Sequence, residues 1–251
     1  MRRVLATLVL APLLLWQGRA VRARALRLPE AEGQRTGSSG PPQPTPEVRP
    51  LRLLIVGDSS AAGVGAATQR EALAGRLSEE LARRTGRAVH WQLLARTGLT
   101  SAEACELLAR APLAPADLAV TALGVNDATG RVPPGPWLGA LDRIDDLLRR
   151  RAGVRFVLHC AVPPMQRFAL LPQPLRWWMG GQAGRLNAAL AGHLQGRADR
   201  ALLALPEELQ AEADRLMAHD GFHPGPAGYA LWARALAEPL ARAWAWAASP
   251  P

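Results

Sequence analysis

From Leu51 onward the sequence alternates short apolar runs with segments of helical spacing, and this alternation restricts the folds open to it. Leu51–Val56 reads as a buried strand. Leu73, Leu77 and Leu81 then recur at helical spacing within Thr68–Arg84, which ends near Gly86. Further strands are expected at Ala88–Leu94, Leu118–Leu123, Val154–Val162 and Ala201–Leu205. Between them, helices are expected over Thr100–Ala109 with Ser101 as its cap, over Pro136–Arg150 with Pro136 in its first turn, and over Pro174–Leu194. A last helix, Pro226–Ala247, contains Pro239, which is expected to kink it. Strands and helices in alternation build a parallel sheet covered on both faces. The expected fold class is α/β: a three-layer α/β/α sandwich with a five-stranded parallel sheet. Crossovers in such a sheet are right-handed, and ligands bind at the C-terminal strand ends.

The first fifty residues read differently. Arg2 and Arg3 precede an apolar run from Val4 to Trp16, thirteen residues long, whereas a spanning helix needs about 20. That length suits a signal-peptide core, but Arg19, Arg22, Arg24 and Arg27 follow at once, where a cleavable signal carries small uncharged residues. Such a flank favours a retained segment with positive charge on the cytoplasmic side. Residues 1–28 are therefore expected to be an N-terminal signal or anchor, and the protein to be membrane-associated or exported, with the side of the membrane left open. Residues 29–50 are rich in Gly, Ser, Pro and Gln and are expected to be a flexible linker. The folded domain is expected to occupy residues 51–247.

The net charge is +9 and every basic residue is arginine. The arginines are scattered through helix-like segments, as on solvated faces, and no element interleaves them with aromatics as a nucleic-acid site would. No nucleic-acid partner is expected, whereas an anionic membrane leaflet remains open. Cys105 and Cys160 fall on apolar patterns and read as small buried hydrophobes, without a disulfide framework or a CxxC pair.

The chemistry-bearing residues cluster where strands end. The first strand runs into Gly57-Asp58-Ser59, which taken alone reads as a plain turn before a nucleophile, an order the three later stretches reverse. The loop after the second holds Gly98, the third runs into Gly124-Val125-Asn126-Asp127, and Asp220-Gly221-Phe222-His223-Pro224 precedes the last helix. A parallel sheet sets the first three side by side, and the fourth can fold over them. A serine hydroxyl needs a base in hydrogen-bond reach, which His223 can supply, and Asp220 can hold its ring. Asn126 offers a side-chain amide, and Gly98 and Ser59 offer backbone N–H groups, for an oxyanion. Asp127 reads as a cap or support.

In these four stretches the chain resembles the SGNH (GDSL) hydrolase family. Gly57-Asp58-Ser59 is similar to its nucleophile block, Gly98 to its glycine block, Gly124-x-Asn126-Asp127 to its G-x-N-D block and Asp220-x-x-His223-Pro224 to its D-x-x-H-P block, in family order. The resemblance implies a flavodoxin-like sheet and a serine esterase that needs no metal or cofactor. Its catalytic residues would be Ser59, Asp220 and His223, and its oxyanion hole Ser59, Gly98 and Asn126. Ser60 replaces the leucine that often follows the nucleophile. The glycine block lacks an asparagine often found a few residues earlier.

Residues 168–179, the most apolar stretch outside the strands, read equally as helix packing or as the wall of an acyl pocket. With the membrane-proximal start they lead to an expected substrate of lipid-like acyl ester, turnover rising to about eight carbons as each CH₂ is buried. Carbohydrate deacetylation and thioester cleavage are alternatives in the same family. A non-catalytic binding module on a flavodoxin-like fold is the alternative outside it. Gly63-x-Gly65 lacks the further residues of a phosphate loop. His219, four residues before His223, would pair with it for a metal only on a helix, which Gly221 and Pro224 disfavour. His90, His159 and His193 read as structural.

Overall fold

The protein is described from a computed structural model covering residues 2–41, 49–168 and 170–248. Residues 42–48 of the expected linker and Ala169 of the apolar stretch lie outside the described residues. In chain order the elements are α1 (Arg2–Arg24), β1 (Thr36–Ser39), β2 (Leu51–Gly57), α2 (Ser59–Ala62), α3 (Leu73–Thr85), β3 (Val89–Ala95), α4 (Ser101–Arg110) and β4 (Leu118–Ala122). They continue with α5 (Val125–Thr129), α6 (Pro134–Ala152), β5 (Phe156–Cys160), α7 (Leu175–His193), β6 (Arg200–Leu203), α8 (Glu208–Ala211), α9 (Ala213–Leu216) and α10 (Pro226–Ala248). The last helix runs through Pro239.

The sheet has six strands in the order β1-β3-β2-β4-β5-β6. β2 through β6 are parallel, as expected, and β1 adds an antiparallel edge. Side chains alternate across β2, so Leu53 and Ile55 enter one core and Leu54 and Val56 the other. The first core is closed by α3 and α10 through Leu77, Leu81, Leu236 and Leu240. The second is closed by α4, α6 and α7 through Leu108, Ile144, Leu148 and Leu186. Burial on both faces explains why these strands read as unbroken apolar runs. The chain leaves β2 toward β3 on one side and returns to β4 on the other. The point where the order reverses lies at the C-terminal ends of β2 and β4, where open α/β sheets form their ligand crevice.

Three expectations are corrected. The stretch 29–50 is not a free linker over its described part. Thr36–Ser39 pairs with Val89–Gln92, Ser39 Oγ lies 2.8 Å from Ser78 Oγ, and the Glu30 carboxylate accepts the Thr97 N–H at 2.6 Å. The folded domain also reaches beyond the expected start at residue 51, because α1 packs Leu14 into the second core. Gln17 of α1 also donates from Nε2 to the Gln173 carbonyl (2.7 Å) and accepts the Leu175 N–H (3.1 Å). No helix among the described residues is long and apolar enough to cross a membrane. Finally, α4 is capped by Thr100 rather than Ser101: Thr100 and Glu103 exchange side-chain and backbone bonds in a capping box.

Candidate active site

Local sequence fixes the approach of β2 to the site. At Gly57 a Cβ would press on Ala61 and come within 2.6 Å of the Ala122 carbonyl, so only glycine lets β2 turn into α2 against β4. Gly124 does the same for β4. Its φ is +115°, and a Cβ would meet Val162 Cγ2 at 2.6 Å. These two turns set Ser59 and Asn126 at the ends of neighbouring strands.

Asp220 organises the opposite wall. One carboxylate oxygen accepts the N–H groups of Phe222 (2.9 Å) and His223 (3.0 Å), curling Asp220–His223 into a turn. The other oxygen stands 2.7 Å from His223 Nδ1. With Nδ1 donating to Asp220, Nε2 is left as an acceptor, and it lies 2.8 Å from Ser59 Oγ. Burial raises the Asp220 carboxyl, but the His223 ring and the two N–H donors outweigh it and hold the group below its usual range.

Asn126 is half-buried beside Ser59. Its Nδ2 donates to the Leu99 carbonyl at 2.9 Å and reaches toward Asp58 Oδ2 at 3.4 Å. The first bond orients the carboxamide, and the second is long enough to yield to a better acceptor. Leu99 follows Gly98, an exposed residue with φ +86° in the loop after β3. Among the described residues the Ser59 and Gly98 N–H groups donate to no protein acceptor. The Ser59 N–H and Asn126 Nδ2 are thus uncommitted or weakly committed donors at the ends of the neighbouring strands β2 and β4, on the side where Ser59 meets His223.

Supporting contacts lie behind this front. The buried Asp127 carboxylate accepts from Ser101 Oγ (2.9 Å) and from the Ser101 N–H, while Trp137 Nε1 donates to that hydroxyl at 3.0 Å. This is the support expected of Asp127, and it explains why Ser101 is not the cap of α4. Asp58, given no role from the sequence, is only 3% exposed. Its Oδ1 accepts the Ser60 N–H at 3.1 Å, and burial pushes its carboxyl up to about 7. The only sequence signal for it is its place between Gly57 and Ser59.

A cavity of about 60 Å³ opens beside the pair. Asp58, Ser60 and Phe222, the chain neighbours of Ser59 and His223, line it, and Leu123, Val125, Phe168, Met217 and Trp232 make the rest largely apolar. The Phe168 ring packs on Phe222 at 5.0 Å between centroids, and Phe222 meets the His223 ring edge-on at 5.1 Å. The 168–179 stretch therefore reaches the Asp220–His223 turn. Among the described residues no group of three or more His, Cys, Asp or Glu side chains is placed to hold a metal ion.

Residues 55–231 match the family model described as the GDSL-like lipase/acylhydrolase family. The GDSL-like esterase Rv1075c of Mycobacterium tuberculosis is 30% identical over 212 residues, covering 81% of this chain and 66% of that protein, just under two thirds of its length. Among solved structures, the lipase Lip_vut3 from a goat rumen metagenome superposes with a TM-score of 0.59 at 16% identity, over 76% of this chain and 97% of that one. The carbohydrate acetylesterase Est24 of Sinorhizobium meliloti gives 0.56 at 16% identity, over 76% and 99%. Both are likenesses of fold.

Proposed function

The chain belongs to the GDSL-like lipase/acylhydrolase family, and from that premise we propose that it hydrolyses carboxylic esters with apolar, lipid-like acyl groups through Ser59. The observation that carries this reading is the hydrogen-bonded series Ser59 Oγ, His223 Nε2, His223 Nδ1 and Asp220. In the reaction Ser59 Oγ forms a bond to the ester carbonyl carbon and gives its proton to His223 Nε2. Negative charge moves to the carbonyl oxygen, where the Ser59 and Gly98 N–H groups and Asn126 Nδ2 receive it. The carbon–oxygen bond to the alcohol then breaks, and His223 returns the proton to the departing oxygen. Water attacks the acyl-enzyme with His223 again as base, releasing the acid and restoring the Ser59 hydroxyl. Asp220 keeps its proton state throughout and stabilises the transient imidazolium.

The cavity supports the choice of acyl group. Leu123, Val125, Phe168, Met217 and Trp232 give it apolar walls, which suit a hydrocarbon acyl chain better than a polar acid. The apolar lining supports the lipid-like acyl ester over a carbohydrate acetyl ester. The test is turnover of p-nitrophenyl esters with acyl chains of about two to eight carbons, by the wild type and Ser59→Ala. Turnover that rises with acyl length toward octanoyl, and that vanishes in Ser59→Ala, supports the reading. An acetyl optimum would favour a deacetylase, and no Ser59-dependent turnover a binding module.

A further inference from the structure

Helix α1 has two apolar faces, and the protein uses only one. Leu14 and Gln17 are buried, and Leu10 and Val21 pack against the same core. On the outer face Val9 is 73%, Leu13 41% and Trp16 65% exposed, with Pro12 exposed between them. Residues 9, 12, 13 and 16 follow the i, i+3, i+4, i+7 spacing of one helical stripe. A second copy of the chain would need a matching apolar face free of like charge, but four arginines crowd this one. Arg19, Arg22 and Arg24 close the helix and Arg27 follows, all exposed and, among the described residues, outside any ion pair. An apolar stripe with a tryptophan and a collar of unpaired arginines is complementary to an anionic phospholipid surface.

We propose that α1 is an interfacial helix that lies on an anionic phospholipid surface. Val9, Pro12, Leu13 and Trp16 enter the boundary between headgroups and acyl chains, and Arg19, Arg22, Arg24 and Arg27 meet the lipid phosphates. The helix lies in the plane of the surface, because its opposite face is occupied by the protein. Gln17 ties it to Gln173 and Leu175, at the end of the segment whose Phe168 packs on Phe222 beside His223. Leu170, on the same segment and 61% exposed, lies against Gly221 of the catalytic turn. Attachment at α1 therefore holds the mouth of the site near the lipid surface. Binding itself does not depend on which ester is hydrolysed.

The test is co-sedimentation of the full chain with vesicles of phosphatidylglycerol and phosphatidylcholine, against vesicles of phosphatidylcholine alone. The wild type is expected to bind the anionic vesicles and to lose that preference in high salt. Leu13→Gln/Trp16→Gln is expected to bind at least about tenfold more weakly, since two large apolar side chains no longer leave water. Arg19→Gln/Arg22→Gln, which disturbs no packed side chain, is expected to weaken binding by about fivefold per arginine. Turnover of a soluble ester should stay unchanged in both variants, so a failure here is separable from a failure of the esterase reading. A folded wild type that ignores anionic vesicles, or binding untouched by both variants, would overturn the proposal. So would a wild-type dimer that Leu13→Gln/Trp16→Gln turns into a monomer without vesicle binding, which would make the stripe a contact between copies.

Discussion

His223 Nε2 stands 2.8 Å from the hydroxyl of Ser59, a residue 164 positions earlier in the chain. No local preference can set that distance. It follows from β2 ending at the centre of the sheet and from the Asp220 turn folding back over its edge, with Gly65 close under the Pro224 carbonyl. Tyr229 reinforces the closure, since its buried hydroxyl donates to the Val64 carbonyl at 2.7 Å.

Replacing Asp220 with Asn should leave the Phe222 and His223 N–H groups an acceptor while removing the charge behind the ring. The ring is then free to take the wrong tautomer. The expected loss is about 10³–10⁴ in kcat on the best ester, with a near-native circular dichroism spectrum. A loss below about tenfold would mean that the carboxylate orients the loop and no more.

Asn126→Ala removes one of the proposed oxyanion donors and leaves the Ser59–His223 pair intact. The expected cost is about 10²–10³ in kcat with KM little changed, because the interaction strengthens only as charge develops on the carbonyl oxygen. Steady-state kinetics distinguish this from a binding role, which would raise KM at constant kcat.

Asp58 gives the fold a definite pH dependence. Its folded pKa, about 7, lies above the ordinary carboxylate value. The folded state therefore binds its proton more tightly than the unfolded state, and this contribution to stability is complete at low pH. It is lost as pH rises from the carboxylate range through about 7. Asp58→Asn cannot ionise, so its Tm should improve relative to wild type between about pH 5 and pH 8.5. A constant difference in Tm across that range would show that Asp58 does not titrate there.

Phe168 closes the small cavity against Phe222. Phe168→Ala should cost about 3 kcal/mol of stability, as a buried aromatic ring leaves a void. It should also raise turnover of the longest acyl chains relative to the shorter ones, because the void extends the cavity. Unfolding curves and the ester series test the two effects separately. An unchanged chain-length profile in a folded variant would place the acyl group elsewhere.

The sequence made the central sheet legible because β2, β4 and β5 are buried on both faces and so contain almost nothing polar. It hid β1 because Thr36-Gly37-Ser38-Ser39 is mostly exposed and held by backbone pairing, which leaves no hydrophobic pattern. The docking of α1 was hidden too, since it rests on Leu14, Gln17 and a few partly buried neighbours within a run that is apolar all round. At the site, residue type and spacing pointed to Ser59, Asn126, Asp220 and His223. The state of Asp58 was illegible because it depends on depth of burial. So was the cavity, whose size is set by Phe168 and Phe222 meeting from separate segments.

The most direct measurement is intact-mass labelling of the folded protein by a fluorophosphonate, followed by mapping of the modified residue. Only a hydroxyl with a base in reach reacts quickly. A single adduct on Ser59, absent from Ser59→Ala and strongly slowed in His223→Ala, is the expected result. Wild type that stays unlabelled, or that labels no faster than His223→Ala, would contradict the claim that these two side chains form one catalytic unit.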